Sequence, residues 1–185
     1  MGGGEMDDAF LRLNVPRTLE LGEEQLRQAL QRIGSTGHPD AGSVGDEFEE
    51  ARAAYALLSS PSRRLRHWLE LAGRIPEQRG AVEQSLMELF GRVSEVGLRA
   101  EAVAKRREAS QSALGLALLE AETQLVREEV EALIAVIDQT IHECCELFPG
   151  FENGLRLEDA PQVMRSLGFL EKWRNGTRSL YARLI

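Results

Sequence analysis

The residues best equipped for polar chemistry are His38-Pro39-Asp40, set in a run of small residues, "IGSTGHPDAGS", from Ile33 to Ser43. Proline fixes one backbone angle, so the imidazole and the carboxylate stand on either side of a stiff corner. A carboxylate held this way accepts the fork of a partner's arginine well. A plain Pro-Asp turn is the simpler alternative for so short a motif. Acid–base catalysis fits less well: residues flanking a proline are not placed to share a proton, and no nucleophile, metal-ligand cluster or glycine-rich phosphate loop accompanies them. The other reactive pair, Cys144 and Cys145, is adjacent in sequence. Neighbours on a helix point a quarter turn or more apart, which suits a bidentate metal site poorly, and with no other cysteine in the chain a disulfide framework or thiolate metal site is excluded. Buried small side chains in a reducing compartment are the expectation for them, with no metal and no cofactor.

The chain of 185 residues carries a formal net charge of −8, with acids in excess in both its N-terminal and C-terminal parts. No electrostatic footing exists for binding phosphate backbones, so nucleic acid is not an expected partner. No apolar run approaches the ~20 residues that span a bilayer. The opening "MGGGEMDD" has neither the basic nor the apolar region of a secretory signal, and Met6 stands where N-myristoylation wants Ser or Thr. A cytoplasmic protein without membrane contact is expected.

The elements that must position these residues read as helices throughout. Hydrophobic residues make up 43% of the chain and aromatics only 5%, with Ala, Leu, Glu and Arg dominant, a composition that favours helix over sheet. "DDAFLRLNVP" predicts a short helix with Phe10, Leu11 and Leu13 inward. "LGEEQLRQALQRIG" predicts a second, on Leu26, Leu30 and Ile33, stopped by Gly34, Gly37 and Pro39. "DEFEEARAAYALLSS" carries Phe48, Ala51, Tyr55 and Leu58 on one stripe, and "PSRRLRHWLELAG" opens on proline and closes on glycine, as a helix should. "RIPEQRG" lacks apolar periodicity and marks a boundary. Beyond it come three longer helices, from about Ala81 to Arg107, Ser110 to Leu147 and Glu158 to the end. The second has Val126, Val130, Leu133, Ile137 and Ile141 as its core, and the third Val163, Leu167, Leu170, Trp173 and Leu180. "PGFENG" reads as a turn between the last two. The fold class is all-α, in two domains: residues 6–74, and residues 80–185 as a three-helix bundle.

A short helix, a second one ending near His-Pro-Asp, and a third with "EEARAAYALLSSPSRRLRHWLEL" together resemble a J domain, a helical hairpin by which co-chaperones engage DnaK-type chaperones. Tyr55, Leu57, Leu58 and Pro61 match its "aYxvLxdPxxR" pattern, with Arg63 and Arg64 at the basic end. "HWLELAG" resembles the ending of the HscB-type J proteins of iron–sulfur cluster assembly. "SLMELF" and "SLGFLEKWRNGTRSLYARL" resemble the start and the last helix of that family's C-terminal bundle. The resemblance spans nearly the whole chain; the middle bundle helix carries only a helical pattern.

The resemblance implies a binding protein, not an enzyme. His38, Pro39 and Asp40 would stimulate the ATPase of a DnaK/HscA-type chaperone, with Arg27 and Arg32 on the contacting helix face. Leu86, Met87 and Phe90, with Phe169 across from them, would receive an IscU-type iron–sulfur scaffold. Leu, Met and Phe at helical spacing are also ordinary core residues, and only a shared exposed face makes them a site. The chain departs from the family at Gly34-Ser35-Thr36-Gly37, where the second helix normally runs on. It departs also at Ala41, and at Gly91 and Ser94, where acids often rim the scaffold site. Two function classes stay open: a co-chaperone for cluster delivery, and a diverged adaptor that binds a partner but no longer drives a chaperone. The long bundle helices leave homodimerisation open as well.

Overall fold

The computed structural model describes residues 8–36, 44–74, 80 and 83–185. Helices are the only regular structure among the described residues. They are α1 (Ala9–Arg12), α2 (Glu23–Thr36), α3 (Val44–Leu58), α4 (Pro61–Leu71), α5 (Gln84–Ala109), α6 (Ala113–Cys145), α7 (Phe148–Glu152) and α8 (Ala160–Leu184), with a short 3-10 helix at Leu157–Asp159 before α8. The chain forms two compact units, residues 1–78 with 145–165, and residues 79–144 with 166–185. Residues 145–165 thus group with the N-terminal unit, although the sequence pattern assigns them to the C-terminal one.

In the first unit, Asp8 caps α1 by accepting N–H groups of Phe10 (2.9 Å) and Leu11 (3.3 Å). The core takes Phe10 and Leu13 from this end, Leu26 and Ala29 from α2, and Ala51, Ala54 and Leu58 from α3. Leu11, expected inside, lies at the surface; a helix of one turn has a single inward face, and Phe10 and Leu13 occupy it. Ser60 and Pro61 start α4 as the sequence suggests. Gly73, at φ +72°, ends it: its N–H bonds to the Glu70 carbonyl and that of Arg74 to the Leu69 carbonyl, a Schellman stop that needs the left-handed region.

Two polar side chains of α4 are built into this core. Arg64 is buried, donates from Nη1 to the Leu58 carbonyl at 2.8 Å and to the Leu21 carbonyl at 3.3 Å, and lies 5.9 Å from the centre of the Phe148 ring. His67 accepts the Ala9 N–H at Nε2 (3.1 Å) and stacks on Phe10 with ring centres 5.7 Å apart. Nε2 therefore carries a lone pair, and the ring proton sits on Nδ1. The "PGFENG" segment is not a simple turn. Phe148 and Phe151 are both buried on α7, and Gly154 repeats the glycine stop. Glu152 accepts the Leu19 N–H at 2.6 Å, which ties α7 to the loop after α1.

In the second unit, Ala100, Val103 and Ala104 of α5, Val126 and Val130 of α6, and Leu184 of α8 share one core, with Val96, Ile134, Leu180 and Tyr181 packed on it. Ion pairs stitch the helices outside it. Arg99 meets Glu129 at 2.9 Å, Arg178 meets Asp138 at 2.9 Å, and Arg183 meets Glu108 at 2.9 Å and also Glu101. The Glu108 and Glu101 carboxylates, which accept hydrogen bonds from the Arg183 guanidinium, hold it protonated well above its ordinary range. The expected α6 stripe of Val126, Val130, Leu133, Ile137 and Ile141 is buried throughout. Cys144 and Cys145 are both half-buried, not fully buried as expected.

Candidate partner-binding surfaces

Two surfaces carry the residues singled out by the sequence. The first is the exposed face of α2. His38, Pro39 and Asp40 lie outside the described residues, in the connection between α2 and α3. Arg27 and Arg32 are both exposed on α2. Arg27 is ion-paired with Glu24 one turn earlier, and Gln28 donates to the same carboxylate at 2.9 Å, so part of the positive charge on this face is already compensated.

The second helix does not stop at Gly34. It runs on to Thr36. The physical reason lies across the hairpin: a Cβ on Gly34 would stand 3.1 Å from Cε2 of Phe48. The glycine lets the α3 ring close against the α2 backbone, and that contact offsets its cost of about 1 kcal/mol in a helix interior. Asp46, Glu47, Glu49 and Glu50 make the facing start of α3 acidic, with Asp46 and Glu47 in the first turn, where the helix dipole favours them.

The second surface lies on α5 and α8. Met87 is 54% exposed, Phe90 47% and Phe169 43%. Leu86, expected among them, is 5% exposed. It shares the inward side of α5 with Leu89, three residues on, while Met87 and Phe90 turn outward. What gathers the exposed rings is Trp173, which the sequence pattern places in the core stripe. Its ring centre is 5.7 Å from that of Phe90 and 6.0 Å from that of Phe169, the latter pair inclined by 26°. Half-buried, it serves as the platform between them. The i, i+4 spacing of Phe169 and Trp173 was the available signal, since such pairs stack along one helix face. Gly91 and Ser94 are exposed just beyond the aromatic group, and neither adds charge. Exposed rings gathered on one face favour an apolar partner surface.

Among the described residues, no group of three or more His, Cys, Asp or Glu could hold a metal ion, and no helix is long and apolar enough to cross a membrane.

No protein-family model matches the chain, and no curated protein matches it in sequence. Its fold matches the crystal structure of the human co-chaperone protein HscB with a TM-score of 0.59 at 16% identity, over 97% of this chain and 83% of that one. The all-α architecture is therefore that of a known co-chaperone, reached by a very different sequence.

Proposed function

We propose that the chain is an HscB-type co-chaperone. In this reading the first helical unit docks on a DnaK/HscA-type chaperone through His38, Pro39 and Asp40, with Arg27 and Arg32 alongside, and stimulates its ATPase. The second unit presents an IscU-type iron–sulfur scaffold on Met87, Phe90 and Phe169, with Leu86 supporting them from the core. The protein does no bond chemistry: it holds two partners at once in the cytoplasm and raises their effective concentration.

The observation that carries this reading is a coincidence of fold and motif. A chain whose helices follow those of human HscB over 97% of its length has His-Pro-Asp in the α2–α3 connection and an exposed aromatic group on α5 and α8. A few exposed aromatic side chains commonly supply most of the binding energy of such a surface.

The scaffold half is tested by titrating a purified IscU-type scaffold into the chain by calorimetry. Phe90→Ser and Phe169→Ser are each expected to weaken binding tenfold or more without loss of helical signal. Unaltered affinity in both would refute this placement. The second class, an adaptor without chaperone stimulation, draws support from the Arg27–Glu24 pair, which removes charge from the α2 face; the ATPase measurement separates the two.

A further inference from the structure

The outer face of α6 carries a second apolar surface, distinct from the aromatic group. Leu114, Leu118, Ala121, Leu125, Ala132 and Ala135 recur at alternating spacings of four and three residues, with Glu128 at the one intervening position. All are exposed, the three leucines at 71%, 76% and 64%. At 100° per residue they lie opposite Val126, Val130, Leu133 and Ile137, which face the core. A 3.5-residue apolar repeat on the solvent side is the pattern that seats another helix knobs-into-holes, and this one runs for about 30 Å. A core helix needs only one apolar stripe; α6 has two.

Charge selects the occupant. Glu128, within the seam, accepts from the Gln124 amide at 2.8 Å, and Glu131 beside it accepts from the Tyr181 hydroxyl. Neither of these contacts is with a cation. Glu143, further along the same side, accepts from the Gln139 amide at 3.0 Å. A second copy would bring its own Glu128 and Glu131 to the same interface, in a chain of net charge −8.

We infer that the outer seam of α6 is a docking surface for a basic amphipathic helix of another protein. The partner's leucines or isoleucines pack between Leu114, Leu118 and Leu125, and a lysine or arginine opposite Glu128 fixes the register, as single polar positions do in coiled coils.

The test uses two fluorescein-labelled 28-residue synthetic helices with leucine at both seam positions of each heptad. One is flanked by lysines with a central seam lysine; its twin has glutamates at those positions. Anisotropy titration against the full chain is expected to show binding of the basic helix that weakens with added salt. Binding of the twin should be at least tenfold weaker. Leu118→Ser with Leu125→Ser, both solvent-facing, should weaken the basic helix at least tenfold with unchanged circular dichroism. Three results would overturn the inference: equal binding of both helices, binding indifferent to the double substitution, or no binding of either. So would sedimentation showing a dimer that the same double substitution abolishes, because a second copy would then cover the seam.

Discussion

The ring of Phe48 on α3 rests against Gly34 on α2, so close that a Cβ on the glycine would stand 3.1 Å from Cε2. This contact keeps the last turn of α2 helical just before His38-Pro39-Asp40. Gly34→Ala adds helix propensity worth about 1 kcal/mol but pushes on a ring that is 37% exposed and free to tilt outward. A thermal melt of this variant is expected to show no loss, and at most a modest gain, of stability. A loss of about 1 kcal/mol or more would show that the ring is held rigidly, since overpacking costs that much or above.

Trp173 and Phe169 separate structure from recognition. Trp173 contacts rings on both helices, so Trp173→Ala should cost roughly 2 kcal/mol of stability, between an exposed and a fully buried aromatic. Phe169→Ala should cost about 1 kcal/mol or less, because only one ring contact is lost. Urea denaturation of the two variants checks the order. Equal losses would mean that Trp173 is not the platform.

Arg64 shows that part of the family-like "SPSRRL" segment is architectural. Its guanidinium serves two carbonyls and faces Phe148. Arg64→Met keeps the volume but strands both acceptors, at a cost of roughly 2–3 kcal/mol. Arg64→Lys, with a point charge in place of the fork, should fall between Met and wild type. Chemical denaturation measures both, and a neutral Arg64→Met would remove the structural role.

Asp8 makes the first unit acid-sensitive. Burial pushes its pKa up, but the Arg17 guanidinium and the N–H groups of Leu11 and Phe10 outweigh burial and hold it below its ordinary value of 3.8. A carboxylate depressed on folding contributes stability above its unfolded pKa and loses it as pH falls through the folded value. The contribution is therefore present at neutral pH and is lost progressively as pH falls below the ordinary value of 3.8. Asp8→Asn keeps a good N-cap and removes the charge, so its stability should fall less steeply than wild type between pH 4 and pH 2. Parallel acid-denaturation curves would contradict this.

Helix existence and order were legible because apolar residues recur at helical spacing over long stretches. The α6 core stripe is the clearest case. What escaped the sequence is long-range. Nothing local shows that Gly34 makes room for Phe48, so it read as a helix stop. The α7 segment looked like a turn because Pro149, Gly150 and Gly154 punctuate it; the burial of Phe148 and Phe151, with Arg64 and Leu19 as partners from far along the chain, makes it a helix. At the aromatic surface, three of the four expected residues are exposed. Leu86 is not, because a one-residue step along a helix turns a side chain from solvent to core. Trp173 was misplaced for the converse reason: a residue at core spacing can still sit at the margin of the stripe.

His38, Pro39 and Asp40 are the residues on which the proposed stimulation of a chaperone depends. The most direct measurement is steady-state ATP hydrolysis by an HscA- or DnaK-type chaperone from the same organism, with the chain added, with and without an IscU-type scaffold. Stimulation of several-fold that rises with scaffold and is lost in His38→Gln is expected, while that variant keeps its helical content and its scaffold affinity. Equal stimulation by His38→Gln would contradict the role of the motif. No stimulation by the folded wild-type chain would contradict co-chaperone function and leave the adaptor reading in its place.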